Sequence, residues 1–182
     1  MAVINIRKAQ REGARLVLGL AGISGSGKTR SALELAYGLA NFDANKVGFL
    51  DTENRRGSLY ADVLRNDKGE VQQFWIGDLE PPFSPQRYID AILEFQAAGV
   101  EVLVIDSISH EWEGQGGCEE IAETNKLRGQ SNWALAKREH KRFMNALLQS
   151  NMHVICCIRA REKIKQQKGS DGKVEIIPLG IM

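Results

Sequence analysis

Residues 22–29 read Gly22-Ile23-Ser24-Gly25-Ser26-Gly27-Lys28-Thr29, directly after the apolar run Leu16-Val17-Leu18-Gly19-Leu20-Ala21 and before the helix-like stretch Arg30 to Ala40. The octet matches the phosphate-binding loop, or Walker A motif, at every defined position. A loop that wraps a triphosphate turns its own amides inward and leaves no Cβ in the way, which suits glycine at Gly22, Gly25 and Gly27. The loop then enters a helix N-terminus, where unpaired N–H groups and the dipole favour an anion. Lys28 is expected to reach the β- and γ-phosphates, and the Thr29 hydroxyl to ligate Mg²⁺. All eight residues are therefore candidates for binding a nucleotide such as ATP.

Outward from this loop, apolar runs rich in β-branched residues alternate with helical patterns, the signature of a parallel sheet covered on both sides. Strands are expected at Leu16 to Ala21, Lys46 to Asp51, Gln72 to Ile76, Val100 to Asp106 and His153 to Arg159, with a final one from Lys173 to Ile177. Lys28 to Ala40 carries Ala32, Leu35, Ala36 and Leu39 on one stripe, and Arg56 to Arg65 is a shorter helix candidate. Ser84, Pro85 and Gly99 punctuate a helix whose stripe is Tyr88, Ile92 and Phe95. A long helix is expected from the cap Ser131 to Gln149, with Trp133, Ala136, Phe143, Met144 and Leu147 inward and His140 at the edge of the core. Two polar, glycine-bearing segments read as mobile: Glu113 to Gly117 together with the surroundings of Gly129, and Gln166 to Gly172. The fold class is thus α/β, a three-layer P-loop NTPase fold with a mostly parallel sheet flanked by helices. The 182 residues suit one domain, 1–182, with 1–15 as an N-terminal arm.

A triphosphate site also needs a carboxylate at another strand tip to anchor the water shell of Mg²⁺. Val102-Leu103-Val104-Ile105-Asp106 supplies it in a Walker B pattern, which gains its force from the upstream loop. After Val47-Gly48-Phe49-Leu50 comes Asp51-Thr52-Glu53. Hydrolysis needs a carboxylate to orient or deprotonate the attacking water, and Glu53 is the best-placed candidate. Asp51 to Asn54 equally spell a turn and helix-cap signal.

The formal net charge of +1 leaves nucleic-acid contact to local patches, such as Lys137 to Arg142 and Arg159 to Lys173, which also fit a solvated face. No apolar run approaches the roughly 20 residues of a membrane span, and Met1 to Arg15 lacks the apolar core of a signal peptide, so a cytoplasmic location and no membrane partner are expected. The three cysteines, Cys118, Cys156 and Cys157, agree with a reducing compartment. There is no Cys-x-x-Cys spacing, and a zinc site drawing on His110 or His153 is not expected.

A phosphate loop, a strand ending Phe-Leu-Asp-Thr-Glu and a strand ending Val-Ile-Asp-Ser resemble the core of RecA-like recombinases and related ATPases. The chain looks most like the phage-encoded RecA-like ATP-binding proteins, including those associated with single-strand annealing, over roughly Arg15 to Arg161. The resemblance implies a RecA-like core, with Lys28 and Thr29 as phosphate and metal contacts, Glu53 as catalytic base, Asp106 as metal-shell acid and Tyr60 as the aromatic that stacks on adenine. An exposed tyrosine is the plain alternative for Tyr60. Where recombinases carry a polar sensor, often Gln, this chain has Arg159-Ala160-Arg161, so Arg159 or Arg161 would stabilise phosphate charge in cis or reach a neighbouring subunit's site. The implied protein is an Mg²⁺-dependent ATPase and homo-oligomer acting with single-stranded DNA in phage-type recombination, annealing or replication, in the host cytoplasm. A nucleotide-switched loader or packaging accessory, with Glu111 to Gly129 as partner surface, and a small-molecule kinase are the other readings. The abrupt end at Pro178 to Met182 suggests a C-terminal truncation.

Overall fold

In the computed structural model, the described residues are 8 and 13–160, with the backbone of 162–168 and 174–181. Most of the expected arm over 1–15, Arg161, and residues 169–173 and 182 lie outside them.

Five parallel strands form the main sheet in the order β1-β5-β4-β2-β3: β1 Val17–Gly22, β2 Val47–Asp51, β3 Trp75–Asp78, β4 Val102–Asp106 and β5 His153–Arg159. A separate antiparallel pair, β6 Glu162–Lys168 and β7 Val174–Ile181, follows. All five residues of both β2 and β4 are buried, as parallel strands covered on two faces must be. One face packs on α1 Lys28–Leu39, whose Ala32, Leu33 and Ala36 meet Val47, Phe49, Val102, Val104, Ile155 and Cys157. The other face packs on α2 Pro85–Ala97 and, later in the chain, the helix Trp133–Gln149, where Tyr88, Ile92, Phe143 and Leu147 meet Leu50, Leu103, Ile105, Val154 and Cys156. Adjacent Cys156 and Cys157 thus face opposite layers, as strand alternation requires. The result is the three-layer α/β architecture of a P-loop NTPase.

Local chemistry explains most boundaries. Gly99 stops α2 at φ +85°, with Val100 N–H reaching back to the Phe95 carbonyl at 3.1 Å, a Schellman-type closure that needs a residue free to adopt αL. The Asp51 carboxylate, 2% exposed, accepts from the amides of Glu53 and Gly57, both at 2.6 Å. That folds 53–57 into a tight loop.

Several expectations are corrected. Residues 72–74 do not begin a strand: Asn66 Oδ1 accepts from the amides of Lys68 and Glu70, and Gln72 N–H donates to the Leu64 carbonyl, so a turn holds this stretch and β3 starts at Trp75. Arg56 to Arg65 yields only the 3₁₀ turn Arg56–Tyr60. Asn132, not Ser131, caps the long helix by accepting from Leu135 N–H at 3.1 Å. Trp133 is 41% exposed and stacks on Trp112 at 6.4 Å, because the first helical turn lies against α3 Ser109–Glu113 and α4 Cys118–Thr124 rather than on the sheet. The long helix is therefore α5. Leu35 is 45% exposed, and Leu33 takes the inward position on α1. Glu113 to Gly117 is no open excursion: Gly117 is buried, and a Cβ there would lie 2.8 Å from the Glu111 and Gly114 carbonyls, so glycine closes the turn joining α3 to α4.

Candidate active site

Parallel register brings the strand tips level. Gly22 pairs with Arg159, Asp106 with Cys157, and Asp51 with Asp106, which places the tips of β1, β5, β4 and β2 along one carboxyl edge, the place where such sheets bind ligands. A cavity of about 260 Å³ opens there, lined by residues that include Ser24, Gly25, Gly27, Lys28, Thr29, Asp51, Glu53, Arg56, Tyr60, Asp106 and Arg159.

Five residues of the octet, Ser24, Gly25, Gly27, Lys28 and Thr29, line this cavity. Gly25 and Gly27 sit at φ +79° and +86°, and a Cβ on Gly22 would meet Ser26 Oγ at 2.6 Å. Such a loop leaves its amides free to point at an anion. Lys28 Nζ is held over the loop by the Gly22 and Ile23 carbonyls at 2.9 and 2.8 Å. Thr29 Oγ1 donates to Asp106 Oδ2 at 2.6 Å, joining the helix start to the β4 tip across 77 residues. These two oxygens form a hard donor set that fits Mg²⁺ beside a phosphate. Burial pushes the Asp106 pKa up, and the Thr29 hydrogen bond opposes that shift.

The β2 tip and the β5 tip meet through charge. Arg159 Nε and Nη2 both contact Glu53 Oε1, at 2.8 and 2.7 Å. Arg56 Nη1 stands 3.7 Å from Glu53 Oε2. The lining thus holds three cations, Lys28, Arg56 and Arg159, against three acids, Asp51, Glu53 and Asp106. The formal charges cancel, but the Asp51 carboxylate is turned into its own loop, where it accepts from the Glu53 and Gly57 amides, while Lys28 and Arg159 stand at the cavity lining for a triphosphate to meet.

Behind the lining, a buried network aligns the tips. Thr52 Oγ1 accepts from Ser107 N–H at 2.8 Å and lies 2.8 Å from His110 Nδ1. Tyr88 OH donates to the Ser107 carbonyl at 2.9 Å, and Arg159 N–H donates to Ser109 Oγ at 2.9 Å. Burial first, and then Arg159, push the His110 pKa down, which favours the neutral imidazole.

The structure therefore brings Ser24, Gly25, Gly27, Lys28, Thr29, Glu53, Tyr60, Asp106 and Arg159 to one cavity, while Gly22, Ile23 and Ser26 belong to the loop without lining it. Arg161 lies outside the described residues. Sequence reasoning missed Arg56, which it placed in a helix, and the Thr52–Ser107–His110 network, whose only signal was polar residues directly after two buried strands.

A family model described as an AAA domain matches residues 14–180. No curated protein sequence matches the chain. Among solved structures, the KaiC-like protein PH0186 from the hyperthermophilic archaeon Pyrococcus horikoshii OT3 is similar with a TM-score of 0.47 and 16% identity, over 91% of this chain and 79% of that one.

Proposed function

The chain belongs to the AAA domain family, a family of ATP-binding P-loop domains, and from that premise we propose that it is an Mg²⁺-dependent ATPase with a RecA-like core. It acts, in this reading, with single-stranded DNA in phage-type recombination, annealing or replication, and as a homo-oligomer. One observation carries the enzymatic part: the Thr29–Asp106 pair and the Glu53–Arg159 pair face the same cavity above the loop that holds Lys28.

Loop amides and Lys28 hold the β- and γ-phosphates of ATP, and Tyr60 packs on the base. Thr29 and Asp106 would hold Mg²⁺, whose charge would neutralise the phosphoryl oxygens. Glu53 positions a water for in-line attack on the γ-phosphorus; the bond to the bridging oxygen breaks, the water's proton passes to the Glu53 carboxylate, and ADP and phosphate result. The γ-phosphate draws Arg159 away from Glu53, freeing that carboxylate while the guanidinium stabilises the phosphoryl oxygens.

The same ion pair favours a second reading, a nucleotide-switched accessory protein, since a carboxylate held by Arg159 turns over slowly until something displaces it. An ATPase assay with and without single-stranded DNA, on wild type and Lys28→Ala, separates the two. The primary reading expects turnover that DNA raises and Lys28→Ala abolishes. An unchanged rate in Lys28→Ala would remove this loop as the active site, and DNA-independent slow turnover would favour the switch.

A further inference from the structure

Away from the nucleotide cavity, three chemically different ligand groups converge. Glu111 on α3, Cys118 at the start of α4 and His140 on α5 each offer one ligand atom, and the three atoms lie within 4.8 Å of one another. Cys118 Sγ stands 3.2 Å from Glu111 Oε1 and 3.8 Å from the Ala136 carbonyl, and His140 Nδ1 stands 2.9 Å from Glu111 Oε2. Glu111 is 1% exposed and Cys118 0%. A carboxylate so far from water needs compensating positive charge. No lysine or arginine among the described residues pairs with it, and its partners are a thiol and an imidazole.

We propose that Glu111, Cys118 and His140 bind one Zn²⁺, with a fourth position open to water on the His140 side. Zinc takes thiolate sulfur at about 2.3 Å and imidazole nitrogen or carboxylate oxygen at about 2.0–2.2 Å, and a tetrahedron of those lengths holds its ligand atoms about 3.3–3.6 Å apart. Cys118 Sγ and His140 Nδ1 stand 3.2 and 2.9 Å from the two Glu111 oxygens, and with all three ligand atoms within 4.8 Å of one another, small side-chain adjustments bring one oxygen, the sulfur and the nitrogen to that spacing. As the zinc–sulfur bond forms, the Cys118 proton leaves to solvent, and thiolate plus carboxylate then balance the 2+ charge of the ion. A soft sulfur donor selects zinc against Mg²⁺ and Ca²⁺. Trp112 packs edge-on against the His140 ring, with centroids 5.2 Å apart, and so holds the plane from which Nδ1 points. His140 is 36% exposed, which gives a water access to the fourth position.

The ion ties α3, α4 and α5 together at one point. α3 carries His110, whose Nδ1 lies 2.8 Å from Thr52 Oγ1 beside the β2 tip, so zinc at Glu111 stiffens the segment that backs the nucleotide cavity.

The full chain, purified without chelators, is assayed for zinc by mass spectrometry of the metal, then stripped and titrated with Co²⁺. The expected result is one zinc per chain, a thiolate-to-cobalt charge-transfer band, and a melting temperature that falls on stripping. Cys118→Ser should lose the band, and His140→Gln should bind at least tenfold more weakly. Wild-type protein that neither carries nor takes up zinc, or a Co²⁺ spectrum without the thiolate band, would overturn the assignment and leave a hydrogen-bonded triad. The wild-type spectrum decides even where a variant folds poorly.

Discussion

Arg159 and Glu53, 106 positions apart in sequence, meet at the mouth of the sheet with two guanidinium nitrogens on a single carboxylate oxygen, Oε1, at 2.7 and 2.8 Å. Both side chains are partly exposed, so their attraction contributes at most about 1 kcal/mol to folding. Its weight falls on turnover. Arg159→Ala should lower kcat about 100-fold, the effect of removing one donor aimed at developing charge, with a change in melting temperature of no more than a few degrees. Arg159→Lys should restore little, because an ammonium cannot reproduce the two-nitrogen contact. Steady-state kinetics on both variants checks this, and wild-type kcat in Arg159→Ala would exclude the arginine from the chemistry.

Asp106 is held at a cost to stability. Burial raises its pKa above the unfolded value, so the folded state takes up that proton more readily. The cost is present where the carboxylate is ionised, and it disappears as pH falls through the folded-state pKa. Asp106→Asn should therefore raise the melting temperature of the nucleotide-free protein by a few degrees near about pH 8, with the gain shrinking toward about pH 4. The same variant should lose about 100-fold or more in Mg²⁺-dependent turnover. Thermal scans across that pH range, with an ATPase assay beside them, test both halves; a variant less stable at the higher pH would contradict the sign.

Gly57 is fixed by space. A Cβ there would sit 2.5 Å from Phe49 Cε1 and 2.8 Å from Ile76 Cδ1, in the loop that also carries Glu53. Gly57→Ala should cost about 1–3 kcal/mol by overpacking and slow hydrolysis as the loop shifts. Denaturant unfolding measures the first effect, and an unchanged midpoint would show that the loop accommodates the methyl group.

Tyr60 lines the cavity close to Leu59 and Arg56. If its ring packs on the base, Tyr60→Ala should raise KM for ATP about tenfold while kcat changes little, and Tyr60→Phe should behave like wild type. An equal loss of kcat in both variants would point to the hydroxyl instead.

Strand tips and loop chemistry were the legible part of this chain. Gly22 to Thr29, Val102 to Asp106 and Val47 to Asp51 declare themselves because each motif is contiguous and its residue types follow from phosphate binding or two-sided burial. Long-range pairing was not legible. That Thr29 would bond Asp106, or Arg159 would hold Glu53, depends on β5 lying between β1 and β4, and strand order leaves no local trace in sequence. The segment after β4 was misread for a related reason. Gly114 and Gly117 look like flexible punctuation, whereas they serve close packing around Glu111, Cys118 and Ala122, whose partner Ala136 lies on a later helix. Trp133 misled because helical spacing identifies a stripe without showing where the sheet beneath it ends.

Glu53→Gln tests the central claim most directly, through ATP affinity and single-turnover hydrolysis measured on the same preparation. The account predicts affinity close to wild type and hydrolysis slower by about 100-fold or more, the loss expected when a general base is removed. Undiminished hydrolysis in Glu53→Gln would contradict the assignment of Glu53 as the residue that activates water.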